Sequence, residues 1–531
     1  MRICPNCGSE KIINKGLNKK KTKRRLKCKD CEHPFSESLT IINEDENSLE
    51  ELLVSSNASV EYVRDEEWLT NIKKHKKFVI TSAQNNTDVD EDFLQALKTY
   101  CKFNNAALLI IPVRYRVQVS DKDLYTYPEE IEEYLFENNI QLHPNLKIMG
   151  QLKIVATAEF PLTGLNPLSK GDSLIIGHNQ LQMISLPVQQ DDFPVILTTT
   201  GTISKENYSI SKQGIKAEFN HSNSAVVVEL DDDIFHLRHL NFDGKGFYDF
   251  EHYYNNEVLN TSSIEGLVLG DEHVIFISED VKNATFNDND SIINILKPKY
   301  IIRHDIIDSY AISHHHKNNI FTQYAKWKSG KNDIRKELSQ VMKHIEDTTP
   351  SYSETWIVPS NHVDHLTRWL NECDPKKEPW NALIYHQLMV EMLSKTEMAE
   401  SMASYPDPFE LFAKHYFKNK ETNIKFLSRR ESKKIFDIEV ACHGDKGTNG
   451  SYGSRLQYSQ LPSKVVIGHS HSPGIEKGAY QVGTSSNLQL EYNLGPSSWM
   501  NTHCIIYKNG KRQLVNIIKG KWRKVKINNK L

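Results

Sequence analysis

Five short polar motifs, four of them directly after an apolar run, carry the chemistry available to this sequence. They are Gly270-Asp271-Glu272-His273, Arg303-His304-Asp305-Ile306-Ile307-Asp308, Pro359-Ser360-Asn361-His362-Val363-Asp364, Cys442-His443-Gly444-Asp445 and Gly468-His469-Ser470-His471. Singly they are weak signals, because a lone histidine is more often a core or surface residue than a ligand. Together Asp271, Asp305, Asn361, His273, His443, His469 and His471 offer carboxylate, amide and imidazole donors. That mixture suits a pair of hard-to-borderline divalent cations sharing one carboxylate, and the chemistry of such a pair is metal-assisted hydrolysis.

A second constellation lies at the N-terminus. Cys4-Pro5-Asn6-Cys7 and Cys28-Lys29-Asp30-Cys31 are two C-x-x-C knuckles with 20 residues between them. Two knuckles supply four thiolates for a tetrahedral ion, so Cys4, Cys7, Cys28 and Cys31 are expected to hold one structural Zn²⁺ in a ribbon. The chain between them is rich in lysine and arginine. It can meet phosphates or dock on protein, and its composition does not choose between these.

Elements must position these groups. At 531 residues the chain is long enough for two or three cores. The expected organisation is a zinc ribbon at 1–40, a helical connector at 41–76, an α/β domain of open role at 77–255 and a catalytic α/β domain at 256–531. A helical insertion is expected near 380–420. Apolar runs predict strands at 78–80, 106–113, 152–158, 173–176, 195–199 and 225–230, with a helix over 91–103. In the second half, strands at 266–269, 300–302, 355–358 and 465–467 each run into one of the polar motifs. Active sites of open α/β sheets lie at the carboxyl ends of strands, which is where these loops fall.

Bulk properties narrow the field. Hydrophobic residues make up 38% and charged residues 25%, with a net charge of −3. No run of 18 or more apolar residues occurs, so no membrane span is expected; with no apolar signal core at the N-terminus, the scattered Cys101, Cys373, Cys442 and Cys504 read as reduced thiols of a cytoplasmic protein. The net charge does not announce a nucleic-acid binder, but basic residues thicken between Lys11 and Lys29 and again from Lys508 to Lys530.

The order D-x-H, D, N-H, H, G-H-x-H resembles that of the calcineurin-like metallophosphoesterases, over about residues 264–510. The resemblance implies a β-sandwich flanked by helices. It assigns Asp271, His273, Asp305 and His471 to one cation and Asp305, Asn361, His443 and His469 to the other, with Asp305 as the bridge. Manganese is the first choice for both. His362 would face the scissile phosphate and protonate the leaving oxygen or stabilise the transition state. Two departures stand out: His304 and Ser360 replace glycines usual in the family. Asp308 stands where the family's repair nucleases carry a second histidine, and can take its place.

Within the superfamily the layout resembles the early host-DNA-degradation proteins of large tailed bacteriophages. That implies a deoxyribonuclease acting on DNA in the bacterial cytoplasm, as a homo-oligomer. A phosphomonoesterase uses the same ligands; Arg303, next to the second motif, would then grip the phosphate dianion. A zinc-ribbon adaptor with an inactive core is the reading from outside enzymology. His314-His315-His316 reads first as a solvent-exposed tract and second as cleft lining. The glycine-rich stretch from Gly444 to Ser451 reads as a flexible loop that can also approach phosphate.

Overall fold

The computed structural model describes residues 6–7, 9, 12–17, 23–38, 62–115, 126–397 and 406–524. The chain divides into two units, residues 1–59 and 60–531. In the first, strands Ile12–Leu17, Lys23–Cys28 and Pro34–Ser38 form an antiparallel sheet in sequence order. The connector expected over 41–76 falls largely outside the described residues. Its described end is a helix, Glu66–Lys73, capped by Asp65.

The second unit is mixed α/β, with large sheets flanked by helices. A six-stranded sheet runs in the order Ile424–Phe426, Glu354–Ile357, Tyr300–Arg303, Gly266–Val268, Thr502–Ile506, Arg512–Asn516. Its first four strands are parallel, so their carboxyl ends lie together. Strand side chains alternate between faces, and here both faces are covered. Val268, Ile302 and Trp356 pack with Met183, Val466, Ile475 and Tyr480 of a second sheet. Leu267, Leu269 and Ile301 turn the other way onto helical segments around Val281 and Ile292. Ile357 joins them on that side, against helices Ile334–Asp347 and Asn361–Glu372. Burial on both faces is why these strands read as unbroken apolar runs.

The facing sheet has ten strands among the described residues, with Asn139–His143 at one edge and Lys434–Ile435 at the other. It joins distant parts of the chain: Gly474–Glu476 pairs antiparallel with Gln182–Leu186. A boundary at 255 therefore does not separate two independent sheets, and residues 60–531 form one unit. The reason is strand pairing, which satisfies backbone groups regardless of sequence distance. A separate four-stranded sheet holds Lys77–Gln84, Ala107–Val113, Ser224–Asp231 and Ile234–Asn241.

The strand expected over 152–158 does not form. Residues 151–158 are turns and irregular chain, and Lys153 turns inward, its Nζ donating to the carbonyls of Pro112 and Gly150. The insertion near 380–420 contains helices Ala382–Glu397 and Pro408–Tyr416. No helix among the described residues is long and apolar enough to cross a membrane.

Candidate metal centre

The carboxyl ends of two parallel strands, Gly266–Val268 and Tyr300–Arg303, are laced together by backbone hydrogen bonds just beyond the sheet. Glu272 N donates to His304 O, His273 N to Asp305 O and Val274 N to Ile306 O, at 2.9–3.1 Å. From the facing sheet, Gly468 N donates to His443 O at 2.7 Å, and His469 N donates to Asp271 Oδ2 at 2.7 Å. Four of the five motifs are thereby drawn to one place.

One donor atom each from Asp271, His273, Asp305 and His471 lies within 4.8 Å of the others, and all four side chains are buried. His471 Nε2 is 3.1 Å from Asp271 Oδ2 and 3.0 Å from His273 Nε2. Asp305 Oδ2 is the focus of the group. It lies 3.3 Å from His443 Nε2, 3.6 Å from His273 Nε2 and 3.8 Å from His362 Nε2. These contacts satisfy only part of the donor set. Asp271 Oδ1, Asp305 Oδ1, Asn361 Oδ1, both ring nitrogens of His443 and Nδ1 of His471 are buried with no hydrogen-bond partner. Unpaired buried polar atoms are costly, and a shared divalent cation is the partner whose chemistry suits carboxylate, amide and imidazole together. The donor set fits the expected cations.

The backbone is unusual at the same residues. His273, Asp305, His469 and His471 have φ of 41°, 43°, 77° and 58°. Non-glycine residues hold such conformations at a cost of about 1–3 kcal/mol each, and concentrate them at functional sites. Burial works against the ionised carboxylates, but the imidazoles of His443 and His471 hold Asp271 below the usual carboxylate range. His362, His443 and His273 do the same for Asp305, more strongly.

Not every expected ligand is drawn in equally. Asn361 opens the Asn361–Glu372 helix, and its Oδ1 is buried and unpaired. His469 stands at the rim, half-buried, its Nε2 3.0 Å from the Tyr452 hydroxyl. His362 Nδ1 lies 2.7 Å from the Asp308 carbonyl oxygen, which can only accept. Nδ1 therefore carries the proton, and Nε2 is left facing Asp305. The Asp308 carboxylate sits 3.1 Å from His273 Nδ1 and 3.9 Å from His362 Nδ1, placed to orient both rings.

Arg303 is not in the site. Ile302 faces the sandwich, so alternation sends Arg303 to the helical side. There it is fully buried, with Nη1 2.9 Å from Glu272 Oε2 and Nη2 donating to the carbonyl and hydroxyl oxygens of Thr348. Glu272 is also 2.9 Å from His344 Nε2. An arginine so enclosed cannot grip a substrate phosphate.

The two departures from the family pattern have local explanations. Ser360 is extended, at φ −130° and ψ 170°, and caps the helix, its side chain accepting from Val363 N. No left-handed glycine is required there. His304 was not expected to matter, yet it is fully buried, both ring nitrogens lack partners, and it groups with Asp271 and His443. The signal was a histidine beside the aspartate at a strand end.

Gly468 is required for close approach. A Cβ there would lie 2.2 Å from Asp271 Oδ1 and 3.3 Å from His304 Cβ. Gly468→Ala is expected to displace the Asp271 carboxylate and weaken Mn²⁺ binding about 10–100-fold, the range seen when a ligand loses its support. Calorimetric titration checks this, and wild-type affinity would contradict the placement.

In the first unit, donor atoms of Cys7, Cys28 and Cys31 lie within 4.8 Å of one another, with Cys7 Sγ 3.6 Å from Cys28 Sγ. The Cys31 backbone N–H leads the interactions that lower the Cys28 thiol pKa, which favours the thiolate a zinc ion needs. Cys4 lies outside the described residues.

Comparison with known proteins places the chain. Protein A1 of Escherichia phage T5 is 31% identical over 476 residues, covering 86% of this chain and 84% of that protein. The chain belongs to the Protein A1 family. It is thus related to a bacteriophage protein, and the similarity covers most of both chains. No protein-family model and no solved structure matches the chain.

Proposed function

We propose that the chain is a two-metal phosphodiesterase of the calcineurin-like metallophosphoesterase type that cuts DNA during phage infection. The observation that carries this reading is the convergence of Asp271, His273, Asp305 and His471 within 4.8 Å, with His443 also aimed at Asp305. Those four residues would hold one divalent cation. Asp305, His443, Asn361 and His469 would hold a second, with His304 beside them. Manganese suits the mixture of oxygen and imidazole donors. When bound, such cations supply Lewis acidity, making water nucleophilic at neutral pH and offsetting charge on phosphate oxygens.

The chain's own groups supply the rest. His362, with 21% of its side chain exposed, is the ring on the solvent side of Asp305. Held through Nδ1 by the Asp308 carbonyl, it keeps Nε2 on the Asp305 side of the site and, as the imidazolium, can give that proton to the leaving oxygen. The N-terminus of the Asn361–Glu372 helix points its free N–H groups toward the same region, favouring an anion there. Tyr452 and Tyr492 at the rim are 77% and 50% exposed; they contact His469 and Trp499 respectively. Exposed rings beside a phosphoester site suit stacking of bases from a nucleic-acid strand. The zinc-ribbon unit with its basic hairpin would add phosphate contacts. Action in the bacterial cytoplasm and assembly as a homo-oligomer belong to the same reading.

The case for a phosphomonoesterase rested on Arg303, and that residue is committed to Glu272 in the interior. Incubation with Mn²⁺ and linear DNA, supercoiled DNA or a phosphopeptide tests the choice. DNA is expected to be cut and the phosphopeptide left intact, with His362→Ala about 10²–10⁴-fold slower on DNA. Dephosphorylated peptide alongside intact DNA would replace this reading with the monoesterase.

A further inference from the structure

A second group of histidines adjoins His362. His314 and His315 belong to the 3₁₀ turn His314–His316, and His365 stands one helical turn beyond His362. One ring nitrogen from each of His314, His315 and His365 lies within 4.8 Å of the other two. The ring centroids are 3.8 Å apart for His314 and His315, 5.0 Å for His314 and His365, and 6.2 Å for His315 and His365. Three imidazoles packed this closely would repel if protonated. Nδ1 of His314 and Nδ1 of His365 are both buried without a hydrogen-bond partner. Burial, with the neighbouring His362, holds His365 down to about 4, and burial also lowers His314. Each ring therefore offers a nitrogen with no competing hydrogen bond. His315 is exposed, so the group opens to solvent.

We propose that His314, His315 and His365 bind one borderline transition-metal ion, of the Zn²⁺ type, at a centre separate from the Asp271–Asp305 group. The donor chemistry sets the preference. An all-imidazole site suits Zn²⁺, Ni²⁺ or Cu²⁺ and discriminates against Mg²⁺, Ca²⁺ and Mn²⁺, which favour oxygen. Three neutral imidazoles also leave the ion its full positive charge and an open fourth position toward solvent, where water or an anion can complete a tetrahedron. The site stands next to the proposed catalytic histidine, since the His365 and His362 ring centroids are 5.2 Å apart. The helix register accounts for this: residues three apart share one face, so His362 and His365 are neighbours on the Asn361–Glu372 helix.

The test is a metal count on the full chain, stripped with chelator, reloaded with Zn²⁺, freed of excess by gel filtration and analysed by mass spectrometry. His315→Ala and His365→Gln are each expected to carry one zinc per chain fewer than wild type, or to hold that zinc at least about tenfold more weakly against a chelating dye. Asp305→Asn is expected to retain it, which separates this ion from those of the carboxylate centre. Because His315 is exposed, its replacement leaves the core intact and decides the matter should His365→Gln fail to fold. Wild-type zinc content and affinity in His315→Ala overturn the proposal, as does a loss confined to a well-folded His365→Gln. The count is read without any substrate, so its outcome does not depend on whether the chain cuts DNA.

Discussion

Asp305→Asn is expected to abolish Mn²⁺-dependent DNA cleavage while leaving the fold intact. Asp305 Oδ2 has three imidazole nitrogens within 3.3–3.8 Å, which marks it as the carboxylate both cations would share. An amide of the same shape keeps one neutral oxygen and loses the charge that binds cations. The metal contribution to such reactions is several kcal/mol, and at about 1.4 kcal/mol per tenfold its loss corresponds to a rate at least about 10³-fold lower. Asparagine is the informative replacement because residue 305 has φ of 43°. Asparagine and aspartate tolerate that left-handed backbone better than alanine does, so lost activity would not reflect lost conformation. Metal analysis of the Mn²⁺-loaded variant is expected to show at least one cation missing. Cleavage at the wild-type rate would end the two-metal reading.

The second large effect is on stability. Arg303 and Glu272 are fully buried and 2.9 Å apart. Arg303→Met removes the cation and leaves Glu272 with His344 at 2.9 Å and no guanidinium. Breaking one side of a buried pair typically costs about 3–5 kcal/mol, which would appear as a lower thermal midpoint. The double variant Arg303→Met with Glu272→Gln removes the stranded charge, so much of the loss should return. The DNA-cleavage rate per folded molecule is expected to stay near wild type, since Arg303 does not reach the site. A rise in KM at an unchanged midpoint would show instead that Arg303 binds substrate.

Arg303 also shows where local reading runs out. Its position one residue before His304 placed it correctly beside the second motif. Which way its side chain points depends on which face of the Tyr300–Arg303 strand meets the second sheet. With Ile301 and Ile302 both apolar and both buried, the pattern carries no sign of the answer. His304 was underrated for the matching reason: it looked like a replaced glycine, and only the neighbouring loops reveal that it groups with Asp271 and His443. His365 needed the 3₁₀ turn at His314–His316 folded against its helix before it could be seen as anything but a surface residue.

What the sequence determined by itself was the inventory of donors and their placement just past apolar strands. Chain connectivity and side-chain period dictate that a polar motif following a buried strand emerges at the sheet's carboxyl edge. The C-x-x-C spacing similarly specified a thiol cluster, of which Cys7, Cys28 and Cys31 come together. Tertiary structure alone decided that Gln182–Leu186 and Gly474–Glu476 are neighbouring strands, and that His443 approaches Asp305 while His471 approaches Asp271. Backbone hydrogen bonds between strands are chemically alike everywhere in the chain, so no local pattern names a strand's partner. That choice is made by packing the whole unit at once.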